Sequence, residues 1–245
     1  LPHVFYEVCI NLPSPAMTYR SILTSFVTLT LAFAAPASIQ SDIGYTELKA
    51  EFGDALPNGS NLSILQVEAV DASGHWAVAR SGELSTRKIT YPFATVQPTA
   101  YSAHANLVAK NLTGVTTSIL PGLGELQVTG IGSYTMLSLL VGSKKEPLAT
   151  SWDIENHSLG ANLAAYNLPA LGLMDYRVNR DLVTVVVALG NGTGTTDPLW
   201  GNCYNTIAVG TKTGLHTRGG TNLDGSGRMK PDLVGPVAYT SYSTP

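Results

Sequence analysis

Residues 227–245 read GRMKPDLVGPVAYTSYSTP. A short apolar strand, Leu233 and Val234, stands between Pro231 and Pro236. A polar turn of small residues, Thr240 to Pro245, follows it. The prolines at 231, 236 and 245 fix φ at the margins of strand and turn. The small side chains around Ser241 would let a substrate backbone come close to its hydroxyl.

Upstream, residues 182–189 (LVTVVVAL) form a continuously apolar, β-branched run, the pattern of a parallel strand covered on both faces. Ser63 to Val67 and Thr206 to Val209 read as further strands, as do Gln127–Val128 and Pro147 to Trp152. Helical rhythm appears over Tyr45 to Phe52, Ala105 to Leu112, around Tyr134 to Val141, and over Tyr166 to Asp181. The last of these is expected to bend near Pro169 and Gly172. Residues 71–100 read as a polar surface excursion. Strands alternating with helices predict an α/β domain whose largely parallel central sheet carries helices on both faces. Sites in such sheets form at the carboxyl ends of the strands.

Charged residues make up only 13% of the 245-residue chain and the net charge is −3, so no electrostatic footprint for a nucleic-acid partner is present. Residues 17–37 have the layout of a secretory signal peptide: Met17, basic Arg20, an apolar run from Ile22 to Phe33, and small-residue cleavage sites ending at Ala34 or Ala37. The apolar core is too short for a comfortable membrane span. Residues 1–16 then read as translation upstream of the start, and the mature form is expected to be exported with no membrane attachment. With Cys9 upstream of that cleavage, Cys203 is left as one thiol without a disulfide partner. The Asn222-Leu223-Asp224-Gly225 stretch lacks EF-hand spacing, and Cys203 has no neighbouring histidine, so neither predicts a metal site. Five Asn-x-Ser/Thr sites, Asn58, Asn61 and Asn111 among them, would matter in a glycosylating host.

The 227–245 run resembles the nucleophile segment of the subtilisin-like serine peptidases, G-R-x-K-P-D-[IL]-V-A-P followed by a loop and G-T-S-x-[AS]-[ST]-P. Gly227, Arg228, Lys230, Pro231, Asp232, Leu233, Val234, Pro236, Thr240, Ser241, Ser243, Thr244 and Pro245 match. Gly235 and Tyr239 depart from the usual alanine and glycine. The resemblance implies a subtilisin-like fold and a polypeptide substrate, with Ser241 as nucleophile and no cofactor. His104, in a run of small residues opening a helix, is similar to the family's base segment H-G-T-H-[VA]-A, so the resemblance makes it the base. His157 beside Glu155 is the rival and reads as a solvated loop residue.

For the orienting acid two candidates stand: Glu68, directly after the strand, and Asp71, three residues on. Strand phase favours Glu68. Gln66-Val67-Glu68-Ala69 also resembles a run in a divergent branch with glutamate in place of the triad aspartate. Asn191, in Gly190-Asn191-Gly192, resembles the family's A-[AS]-G-N-x-G, whose asparagine amide donates to the oxyanion. As bare sequence it is also a turn capping the strand, and the glycines complete no phosphate-binding GxGxxG.

The resemblance spans about Gly44 to Pro245, placing a peptidase domain over residues 43–245. Few residues separate the cleavage site from the first strand, leaving little room for an inhibitory propeptide. The chain ends four residues after Ser241, where the family continues into a long buried helix. The expectation is a domain incomplete at its C-terminus, which by itself folds poorly and is inactive. A catalytically silent binding or adhesive domain of the same fold is the alternative. An unrelated esterase is disfavoured because no G-x-S-x-G elbow is present.

Overall fold

The computed structural model describes residues 39–160, 167–190, 200–216 and 230–236. All of them fall within one compact unit, Ala37–Pro245. The expected signal segment 17–37, Asn191, the 222–225 turn and Ser241 lie outside the described residues.

Seven strands form one all-parallel sheet: β1 (Ile64–Glu68), β2 (Lys88–Thr90), β3 (Glu125–Gly130), β4 (Ile154–His157), β5 (Thr184–Ala188), β6 (Ile207–Thr211) and β7 (Leu233–Gly235). Their order is β2-β3-β1-β4-β5-β6-β7. The chain leaves β1 toward β2 on one side and leaves β4 toward β5 on the other. Strand order therefore reverses between β1 and β4, the place where open α/β sheets form their crevice. All five residues of β1 are buried, as a central strand covered on both faces requires.

Alternation along β1 builds two cores. Leu65 and Val67 join Val185, Val187, Ala170, Leu171, Met174 and Trp200 on one face. Ile64 joins Leu126, Val128, Ile89, Ala105 and Ala109 on the other. Helix α3 (Ala103–Thr113) covers the second face, and α5 (Asn167–Asp181) covers the first. Among the described residues, the remaining α-helices are α1 (Ile39–Asp42), α2 (Tyr45–Phe52) and α4 (Ile131–Ser133), the last running into a π-helical turn over Tyr134–Ser138. Helix α2 ends at Gly53, whose φ of 53° is left-handed and suits glycine.

Four details differ from the sequence reading. Pro147 to Trp152 is not a strand; β4 begins at Ile154. The carbonyls of Pro147 and Leu148 instead accept hydrogen bonds from Arg180 and Arg177, which takes them out of any ladder. The 71–100 excursion contains edge strand β2, too short at three residues to show a period. Helix α5 is continuous from Asn167. Pro169 is its third residue, in the first turn, where a missing N–H breaks no intrahelical bond. His157 is not in a solvated loop: it ends β4 fully buried, because its register with Val67 directs it into the α5-side core.

Candidate active site

Glu68 is the last residue of β1, and His104 is the second residue of α3. They approach each other at the carboxyl edge of the sheet, beside the switch point. Helix α3 starts where it does because the Ser102 hydroxyl caps it, accepting the Ala105 N–H at 3.4 Å. Two bonds tie that start to the loop leaving β1. The Ser102 N–H donates to the Ala77 carbonyl at 2.9 Å, and the Ala79 N–H donates to Asn106 Oδ1 at 2.6 Å. The end of β1 and the start of α3 are thus braced together.

Within this frame His104 Nδ1 lies 2.9 Å from Glu68 Oε2. Glu68 is completely buried, whereas the His104 side chain is 42% exposed. Glu68 Oε1 accepts from Gln66 Nε2 at 2.8 Å, so each carboxylate oxygen has a donor. Trp76 lies across Gly130, the register partner of Glu68 on β3. A Cβ at position 130 would stand 3.1 Å from the indole, so glycine lets the ring pack closely over this strand end. Burial raises the Glu68 carboxyl above its ordinary value, and the bonds from His104 and Gln66 offset only part of that rise. The hydrogen bond to Glu68 raises His104 above the ordinary imidazole range, against a partial desolvation. With the carboxylate on Nδ1–H, the outer nitrogen Nε2 carries the lone pair, as a general base requires.

Asp71, the other acid candidate, is engaged by its own turn and by the Ser102 side chain. Its Oδ1 accepts the Ser73 and His75 N–H groups at 2.9 Å each, and Oδ2 sits 3.9 Å from His75 Nδ1. Those bonds, the His75 N–H foremost, lower its pKa despite some desolvation. His104 pairs with Glu68 instead.

A second polar cluster, not anticipated from sequence, lies on the opposite face of the sheet. Glu155, His157, Arg177 and Tyr134 are all fully buried there. Arg177 Nη1 lies 3.4 Å from Glu155 Oε1. Its Nη2 donates at 2.8 Å to both the carbonyl and the hydroxyl of Ser138, and at 3.0 Å to the Leu148 carbonyl. The Tyr134 hydroxyl donates to Glu155 Oε2, and His157 Nε2 stands 3.3 Å from the same oxygen. Because His157 faces this cluster from the other side of the sheet, it does not share the crevice with His104. A sequence signal was present: Ala170, Met174 and Arg177 occupy one helical stripe, and a cation within an apolar stripe calls for a buried anion. Cys203 is buried in the same core, its thiol 3.8 Å from the Leu171 carbonyl.

No family model and no curated protein matches this chain. Solved structures do. The PatG macrocyclase in complex with peptide aligns over 82% of this chain and 72% of that one, at 11% identity and a TM-score of 0.53. The prenylagaramide maturation protease PagA aligns over 76% and 71%, at 15% identity and a TM-score of 0.48. The patellamide maturation protease PatG aligns over 76% and 69%, at 11% identity and a TM-score of 0.49. The first similarity, together with the seven-stranded parallel sheet, establishes the subtilisin-like α/β fold for this chain.

Proposed function

We propose that residues 43–245 belong to the peptidase domain of an exported subtilisin-like serine endopeptidase, which cleaves polypeptides through an acyl-enzyme. The observation that carries this reading is the buried Glu68 carboxylate bonded to Nδ1 of a half-exposed His104 at the carboxyl edge of a parallel sheet. A fixed acid behind an accessible imidazole is the orienting half of a triad.

In this reading His104 Nε2 takes the proton from Ser241 as its Oγ attacks the scissile carbonyl. Glu68 stabilises the imidazolium that forms. The Asn191 carboxamide donates to the oxyanion, and one such donor contributes roughly 3–4 kcal/mol in subtilisin. Collapse of the tetrahedral species breaks the C–N bond, and His104 returns the proton to the departing amine. Water, deprotonated by the same imidazole, then hydrolyses the ester. A polypeptide substrate is in keeping with the peptide seen bound to the PatG macrocyclase. Export rests on the signal-peptide layout of residues 17–37.

The test is to treat the full-length gene product with a serine-directed fluorophosphonate and to assay peptide cleavage. The unsubstituted protein should be labelled and active, and Ser241→Ala should be neither. A folded protein that takes no label and cuts nothing would transfer the reading to a silent binding domain. N-terminal sequencing of the secreted product should begin just after Ala34 or Ala37.

A further inference from the structure

Gln66 is the anomaly of the central strand. It lies two residues before Glu68 on the same face, is fully buried, and occupies a position where a valine or leucine would pack without polar atoms. Its Nε2 sits 2.8 Å from Glu68 Oε1 and 3.0 Å from the carbonyl oxygen of Ala105, the residue after His104. Both neighbours are acceptors, so the amide must present its NH2 group to them. Turned round, its oxygen would face a carboxylate and a carbonyl. The orientation leaves Gln66 Oε1 buried and without a donor among the described residues. A buried acceptor left unsatisfied is a standing cost, and an apolar residue would avoid it.

We propose that Gln66 is a positioning residue, a clamp that holds the plane of the Glu68 carboxylate and the backbone beside His104 at one fixed spacing. The inference rests on the peptidase reading only for its consequence in turnover; the clamp itself is a geometric claim. A glutamate has one more rotatable bond than an aspartate and can swing its carboxylate about it. Pinning Oε1 to Gln66 removes that freedom and leaves Oε2 to His104. Because the second amide proton reaches the α3 backbone, one side chain ties the acid of β1 to the helix that carries the base. The same donor favours the anionic carboxylate against the burial that opposes it, which keeps the proton on His104 Nδ1 and the lone pair on Nε2.

The test is Gln66→Met in the full-length protein, a change that keeps approximate length and removes both donors. If the clamp operates, kcat falls roughly 10- to 100-fold, the range expected for losing a hydrogen bond to a charged group, and KM stays within about threefold. Without that donor the buried carboxylate binds protons more strongly. The Glu68–His104 pair then takes up its proton at higher pH, and both the acid limb of kcat/KM and the His104 ring titration followed by NMR move upward. A purely structural role would lower thermal stability and leave both midpoints in place. Unchanged kcat and unchanged midpoints overturn the clamp while leaving the peptidase reading intact. Absent hydrolysis in the unsubstituted protein, with a His104 midpoint that still moves in the variant, upholds the clamp and removes the peptidase. Should the variant not fold, the unsubstituted protein decides. The Gln66 side-chain amide resonances should be slow to exchange and should shift with the His104 midpoint, and an amide blind to that titration refutes the clamp.

Discussion

Glu68→Gln keeps the volume of the buried side chain while removing its charge, and the structure dictates how the new amide must sit. Gln66 Nε2 donates to the Oε1 position at 2.8 Å, so the new carbonyl is held there. The new NH2 then points at His104 Nδ1, which stands 2.9 Å from the present Oε2. Two donors cannot face each other, so Nδ1 must give up its proton and become the acceptor. The imidazole proton moves to Nε2, the nitrogen that receives the proton of Ser241 in the proposed mechanism. The base is left in the wrong tautomer while every heavy atom keeps its place. An equivalent carboxylate-to-amide exchange in another serine peptidase lowers kcat about 10⁴-fold, and a loss of that order is expected here. The assay is steady-state hydrolysis of a chromogenic peptide by the full-length protein, with circular dichroism to establish that the variant folds. Asp71→Asn is the control; since Asp71 holds its own turn and interacts with Ser102 but not with His104, that variant should turn over at nearly the unsubstituted rate. The reasoning is refuted if the Glu68 variant retains a tenth or more of kcat, or if the Asp71 variant is the dead one.

Two further outcomes follow from the geometry. His104 must be neutral to act as a base, and Glu68 raises its pKa. Activity should therefore climb with pH through a midpoint above that of a free imidazole, and the residual activity of Glu68→Gln should climb at a lower pH; an acid limb that ignores this substitution would count against the pair. In the opposite core, Arg177→Met strips Glu155 of its cation and should destabilise the fold by about 3–5 kcal/mol in denaturant titrations. Adding Glu155→Gln should recover part of that loss, and strictly additive losses would show that the two groups do not interact.

Much of the fold could be read from local pattern. The apolar, β-branched run 182–189 contains β5, and the polar–apolar rhythm of residues 45–52 reproduces α2 to the residue. Such features need only the two periods of side-chain direction and the turn chemistry of glycine and proline. Errors arose where backbone groups are satisfied at a distance. Pro147 and Leu148 look like strand residues until arginines from α5 claim their carbonyls. Similarly, β2 is invisible until β3 pairs with it.

The amino-acid sequence by itself determined an alternating α/β chain with a buried strand over residues 182–189, a short strand followed by an acid and a helix opening on a histidine, because those properties depend on neighbours within a few residues. Only the tertiary structure decided that Glu68, rather than Asp71, meets His104. It also decided that His157 belongs to a separate ionic core beneath the sheet, and that the Gln66 amide meets both Glu68 and the Ala105 carbonyl beside His104. These last three are matters of through-space distance between segments far apart in the chain. Register and crossover set that distance, and no local period encodes it.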